Sequence, residues 1–211
     1  MKIIAIKNGS SSDIRPLLDR MFALRANVFD GRLGWKVLTR DGHERDPFDE
    51  LDPIYILAIT ARNDVVGSVR LLPATGKTML SSVFPQLVED QTFSPHARMV
   101  ESSRFCVDTT IERKGRIGLH HVTRLMFAGI LEWCLSREHT EVVTVTDLAI
   151  ERILGRAGWS LRRLGSPQTI GKGKALAGIL AVNREIFGRI KPPGYLSDLN
   201  RFLKSEPTVS S

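Results

Sequence analysis

The sequence predicts an α/β protein, a three-layer α/β/α sandwich on a mixed, twisted sheet. Short apolar runs rich in β-branched residues alternate with segments of 3.6-residue periodicity. Two of the runs, 54–60 and 65–72, flank Arg62-Asn63-Asp64, a hairpin turn that breaks a purely parallel βαβ pattern. The chain has 211 residues, one domain at about 150 residues each. A chain of this size buries roughly 70% of its unfolded surface, so its core needs no staples.

The elements follow in order. Ile3-Ile4-Ala5-Ile6 reads as a strand. Ile14, Leu17, Leu18, Met21, Leu24 and Val28 predict a helix over 13–29, with Asp13 as N-cap and Pro16 in the first turn, where its missing N–H costs little. From Asp30 to Pro53 the pattern disappears, leaving charged residues, glycines and the isolated aromatics Trp35 and Phe48. Residues 30–53 are expected to form a mobile, lid-like loop. After the hairpin, Met99 to Val107 is a strand. Val122, Leu125, Met126, Ile130, Trp133 and Cys134 predict the longest helix, from about Arg116 to Glu138. Glu141 to Thr146 is a β-branched strand, and Asp147 caps a helix that Gly158 ends. Trp159–Leu164 and Lys174–Ala181 are expected as edge strands, Asn183–Ile190 as a short helix, and 205–211 as a disordered tail. Helices on both faces of the sheet complete the sandwich.

Composition excludes several classes. Hydrophobic content of 42% and charged content of 25% rule out wholesale disorder. Cys106 and Cys134 form no CxxC pair, lie in apolar runs and fit a reducing cytosol, so a cytoplasmic protein is expected. No apolar run nears the ~20 residues of a membrane span, and the four apolar residues after Lys2 are too few for a signal peptide. Gly76-Lys77-Thr78 and Gly171-Lys172-Gly173-Lys174 are not Walker motifs. There is no GxSxG elbow and no HExxH. His120 and His121 point about 100° apart on a helix and have no third ligand, so no metal is expected. Lys+Arg of 30 against Asp+Glu of 23 leaves +7, which suggests an anionic partner: nucleic acid, membrane surface, or an acidic protein or substrate.

Charges stand where apolar residues belong. Arg25 falls on the apolar face of helix 13–29, between Met21 and Val28-Phe29. Snorkelling to water is the ordinary fate of such an arginine; burial would require carboxylate partners. Arg70 interrupts an apolar strand, and Glu101 and Arg104 lie three apart in another. In a straight strand that spacing puts them on opposite faces, so a shared site needs a bulge or sheet twist to re-aim one of them. The run 44–52 supplies counter-charges. A solvated acidic turn is the usual meaning of such a run. The functional reading folds Asp46 and Asp49 over Arg25, Arg70 and Arg104.

The constellation resembles the LuxI-type acyl-homoserine-lactone synthases. It is carried by Arg25-x-x-Val28-Phe29, Gly34-Trp35, Glu44-Arg45-Asp46-x-x-Asp49, Arg70-Leu71-Leu72-Pro73, Met79-Leu80, Phe84 and Val100-Glu101-Ser102-Ser103-Arg104-Phe105. Spacing and order hold from about 20 to 108, and weaker similarity runs on to Gly194-Tyr195. Segments 24–35 and 144–159 look most like the rhizobial members.

The resemblance implies a fold similar to N-acetyltransferases. It implies acyl transfer from a thioester to the amino group of S-adenosylmethionine, then lactonisation with release of 5′-methylthioadenosine, making a quorum-sensing signal. S-adenosylmethionine is then a substrate, and no cofactor is expected. Phe29, Trp35 and Phe84 would line its pocket, and Arg104 would hold its carboxylate. Arg25, Asp46, Asp49 and Arg70 would shape the lid by ion pairs, with Ser103 beside them. Glu101, the carboxylate placed in a strand, is the candidate general base. Leu125, Met126, Thr146, Ala149 and Ile150 would line the acyl chain, with core packing as the equal alternative. Thr146 suggests a 3-oxo substrate.

The donor is expected to be an acyl-carrier protein, with acyl-CoA as the alternative. Arg113, Lys114, Arg116, Arg152, Arg156, Lys172 and Lys174 are candidates for docking the acidic carrier. Two competing readings are a simple N-acyltransferase, which would release no methylthioadenosine, and a nucleic-acid-binding module. The second rests only on charge and finds no recognition motif.

Overall fold

The computed structural model describes residues 1–8, 12–32, 37–111, 121–171 and 173–203, the side chain of Arg32 excepted. The expected tail and the predicted helix start at 116–120 lie outside these residues.

The strands are β1 (Lys2–Lys7), β2 (Thr39–Arg40), β3 (His43–Glu44), β4 (Ile54–Ile59), β5 (Val65–Pro73), β6 (Met99–Val107), β7 (Glu141–Asp147), β8 (Leu161–Arg163), β9 (Gln168–Ile170), β10 (Gly173–Ala181) and β11 (Ser197–Asp198). The helices are α1 (Arg15–Ala26), α2 (Met79–Ser82), α3 (His121–Ser136), α4 (Leu148–Ala157) and α5 (Arg184–Ile190). Among the described residues none is long and apolar enough to cross a membrane.

One mixed sheet runs β11-β1-β4-β5-β6-β7-β10-β8, with β9 also on β10. β1, β4, β5 and β6 are antiparallel neighbours. β6 and β7 are parallel. Alternation along each strand feeds two faces. Ile3, Ala5, Ile56, Ala58, Val69, Leu71 and Val100 join α3, α4 and α5 in one apolar layer. Ile4, Ile6, Tyr55 and Leu57 pack under α1 on the other face. The same three-layer architecture is the one the patterning predicted. α3 lies close on the sheet because Gly129 has no side chain: a Cβ there would stand 2.7 Å from Ile3 Cγ2.

The hairpin turn, the β6 bounds and the Asp147 cap agree with the sequence reading: Asn63 adopts φ 61°, and Asp147 accepts from the Ile150 N–H at 2.8 Å. Gly158 ends α4 at φ 83°, a left-handed cap that glycine adopts without strain.

Four expectations need correction. Asp13 does not cap α1, which begins after Ile14 with no side-chain cap. The helix does not run evenly to 29 but widens at Asn27–Arg32 into a π-helix. Residues 39–50 carry regular structure, namely the β2–β3 hairpin and a 3-10 turn at Pro47–Glu50. β10 is no edge strand: β7 pairs along one side, and β8 and β9 pair along the other. Its residues Leu176 to Leu180 are accordingly buried.

Candidate active site

On the α1 side of the sheet, three arginines meet three carboxylates. Arg25 comes from α1, Arg70 from β5 and Arg104 from β6. Glu44 comes from β3, and Asp46 and Asp49 from the 3-10 turn. Arg25 forks onto Asp49, Nη1 to Oδ1 at 2.8 Å and Nη2 to Oδ2 at 3.0 Å. Its Nε donates to Glu44 Oε2. Arg70 forks onto Asp46, Nη2 to Oδ2 at 3.1 Å and Nη1 to Oδ1. It also reaches Asp49 Oδ1 at 2.9 Å and Ser103 Oγ at 3.1 Å. Arg104 donates from Nε to Glu44 Oε1 at 3.1 Å, and its Nη2 lies 2.8 Å from Asp46 Oδ2. Planar guanidinium forks match carboxylates in this way, and the charges sum to zero.

Local sequence sets this geometry. Asp46 opens the 3-10 turn as a capping box: its Oδ1 accepts from Phe48 N–H at 2.9 Å while its own N–H donates to Asp49 Oδ2 at 2.8 Å. One turn therefore presents both carboxylates, three residues apart, to the arginines.

Of the bulge or twist its spacing called for, a bulge places Arg104. Ser68 pairs with Cys106 and Arg70 with Ser103, so Arg104 and Phe105 together face Val69. Arg104 takes φ 55°, a left-handed conformation costly for a residue that carries a Cβ. The parity of β6 inverts there. Glu101 and Ser103 face the α1 side before the bulge, as Arg104 and Cys106 do after it, while Val107 turns to the α3 layer.

Burial would raise Asp49, but hydrogen bonds and charge from Arg25, with Arg70, hold its carboxyl at about 2. Burial lowers the affinity of Arg25 for its proton, yet Asp49 and Glu44 more than restore it. Tyr55, opposite Arg70 in the ladder, donates to Asp49 Oδ1 at 2.7 Å, and burial followed by that carboxylate pushes its phenol up.

Glu101 is buried beside this cluster. Its Oε2 accepts from Met79 N–H at 3.0 Å and its Oε1 from Leu80 N–H at 2.6 Å. Burial raises its pKa despite these donors and the Arg70 charge. Phe29, on the π-helix, lies with its ring 5.5 Å from the Arg104 guanidinium. The β6–β7 ladder ends at Ser102 and Thr144, whose hydroxyl donates to Ser102 O at 2.9 Å. Beyond that pair the parallel strands part, next to Arg104.

The structure thus brings Arg25, Asp46, Asp49, Arg70, Ser103, Arg104 and Phe29 together, with Glu101 adjoining. The snorkelling alternative for Arg25 fails, since it is fully buried. Phe84 packs on Phe48, Leu72 and Met79 at the flank. Leu125 and Met126 are core residues, Met126 lying against Gly67. Thr146 and Ile150 are half-buried, whereas Ala149 is exposed. Trp35, Arg113, Lys114, Arg116 and Lys172 lie outside the described residues. Of the acidic run, Asp52 pairs with Lys7 and Glu50 is exposed, so only three of its carboxylates serve the arginines. Sequence reading assigned no role to Glu44 or Tyr55. Glu44 stood in the acidic run, but Tyr55 looked like any aromatic of a buried strand. Among the described residues no three of His, Cys, Asp and Glu could hold a metal ion.

An N-acetyltransferase-type protein from Lactobacillus plantarum shares the fold, with TM-score 0.57 at 16% identity over 87% of this chain and 100% of that one. The sheet and its helices define an α/β protein with an N-acetyltransferase-like fold. The family described as "Autoinducer synthase" matches residues 11–190. The acyl-homoserine-lactone synthase of Agrobacterium fabrum is 49% identical over 198 residues, 93% of this chain and 94% of that one. The structure of BjaI, a CoA-dependent acyl-homoserine lactone synthase with SAM and isopentyl-CoA, matches with TM-score 0.81 at 26% identity over 95% of both chains. The chain belongs to the autoinducer synthase family, the acyltransferases that make acyl-homoserine lactones.

Proposed function

We infer that this synthase joins an acyl thioester to the amino group of S-adenosylmethionine and closes the lactone, releasing 5′-methylthioadenosine. The observation that carries the reading is an asymmetry of the ionic cluster. Arg25 and Arg70 have fully buried side chains, whereas Arg104 and Asp46 keep 12% and 10% of theirs exposed. The cluster therefore opens to a ligand at one arginine, backed by the Phe29 ring. A zwitterionic sulfonium suits that mouth: its carboxylate on Arg104, its cation against the aromatic faces of Phe29 and Phe84.

An α-amino group has a pKa of about 8 and must shed a proton before it attacks. Glu101, directly or through a water, takes that proton. The amine nitrogen then bonds to the thioester carbonyl carbon, and the thiolate departs. Backbone N–H groups where β6 and β7 part are the donors for the oxyanion. In the second step the substrate carboxylate attacks its own Cγ. The Cγ–S bond breaks, and its electron pair neutralises the sulfonium. Orientation is the main requirement there. Leu125, Met126, Thr146, Ala149 and Ile150 remain the proposed acyl wall.

The donor is an acyl-carrier protein, docked on a basic face that includes Arg152, Arg156 and Lys174. These three are exposed, and the surplus of +7 suits an acidic partner. The Michaelis constant for acyl-carrier protein is expected to rise with salt more steeply than that for acyl-CoA; equal slopes would reject the docking face. The synthase reading itself is tested with purified protein, S-adenosylmethionine and an acyl thioester, followed by mass spectrometry. Lactone and methylthioadenosine should appear in equal amounts and vanish in Asp46→Ala. Acylation without methylthioadenosine would instead mark a simple N-acyltransferase.

A further inference from the structure

The first residue of α2 touches both working ends of the site. The backbone N–H of Met79 donates to Glu101, while its thioether accepts from Arg104 Nη1 at 3.5 Å. Each of the other two Arg104 nitrogens meets a carboxylate, Nε on Glu44 and Nη2 on Asp46. Nη1 is thus the arm of Arg104 that a thioether holds, and a thioether is a weak acceptor for a cation. Met79 is largely buried, packed with Phe48, Leu72 and Phe84, so its sulfur is held in place.

We propose that Met79 is a positioning residue that sets the affinity for S-adenosylmethionine, its sulfur holding the Arg104 arm in a bond weak enough for the substrate carboxylate to displace. This rests on the reading that Arg104 binds that carboxylate. The weakness of the contact is its function. A strong internal acceptor would compete with the substrate. A polarisable thioether asks the incoming carboxylate to displace only a weak bond.

Two variants of similar volume separate this role from packing. Met79→Gln places an amide oxygen, a stronger acceptor, within reach of Arg104. It is expected to raise KM for S-adenosylmethionine about tenfold, with most of the loss in KM rather than kcat and little change in KM for the acyl donor. Met79→Leu removes the acceptor and is expected to lower the same KM about twofold to threefold, in the range of a weak contact. A merely structural role would move both variants in one direction. Shifts in the same direction, or no shift in either, would overturn the proposal. Should Met79→Gln fail to fold, an unchanged or raised KM in Met79→Leu alone overturns it. Arg104→Ala, measured alongside, keeps the two readings apart. A KM raised on the order of a hundredfold with flat Met79 variants rejects only the role of Met79, whereas an unchanged KM rejects the carboxylate reading of Arg104 as well.

Discussion

Glu101→Gln is expected to lower turnover by about 10²- to 10⁴-fold, the range spanned by loss of a positioned general base. The carboxylate accepts two backbone N–H bonds, from Met79 and Leu80. A Gln amide oxygen can take one of them, while its NH2 group would face the other donor. The orphaned N–H costs about 1–3 kcal/mol, so assays belong well below the melting temperature, with circular dichroism to show the fold intact. The pH profile is the sharper readout. Burial raises the Glu101 pKa, so the basic form fills only above the ordinary carboxylate value of about 4.3. The acid limb of kcat/KM should therefore lie above that value in the parent enzyme and disappear in the variant. Turnover within tenfold of the parent, with the acid limb unmoved, would remove Glu101 from the chemistry and leave it as an anchor for α2.

Arg25→Met should cost about 3–5 kcal/mol of stability, the range for removing one partner of a buried ion pair. That is a large share of the roughly 5–15 kcal/mol available to a folded domain. Arg25 provides both halves of the fork on Asp49 and one bond to Glu44. Without it, three carboxylates face two arginines in a site nearly closed to water. Urea titration gives the loss directly. A drop below about 1 kcal/mol would mean that water enters and solvates the acids, as at exposed pairs.

Acid sensitivity follows from the same carboxylate. The folded-state pKa of Asp49 is lowered from 3.8 to about 2. Its contribution is therefore fully present above about pH 4 and lost as pH falls through about 2. Linkage sets it at about 2 kcal/mol. In Arg25→Met this part of the acid dependence should shrink, because Arg25 is the main source of the depression.

Much of the fold was legible because local signals agreed. Short apolar runs marked β1, β4 and β5, Met99 to Val107 was read as β6, β-branching marked β7, and Asp147 with Gly158 bracketed α4. Misses came where a few long-range contacts outweigh local pattern. β9 and β11 have three residues and two, too short for any periodicity to register. The turn at 47–50 has no apolar repeat. It is ordered instead by Asp46 and Asp49 bonding to its backbone and by their arginine partners.

By itself, the sequence determined that charges lie inside apolar elements, that a compact run of acids could answer them, and that Glu101 and Arg104 could share a face only across a bulge or a twist of the sheet. These follow from periodicity and from the cost of burying a lone charge. Tertiary structure alone decided which acid meets which arginine. It made Glu44 the bridge between Arg25 and Arg104 while sending Asp52 out to Lys7. It also left Arg104, rather than Arg25 or Arg70, at the mouth of the cluster. The physical reason is distance. Ion pairs between residues 19 to 60 positions apart in the chain carry no local signature, and their strength depends on burial that exists only once α1, the sheet and the 47–50 turn have closed together.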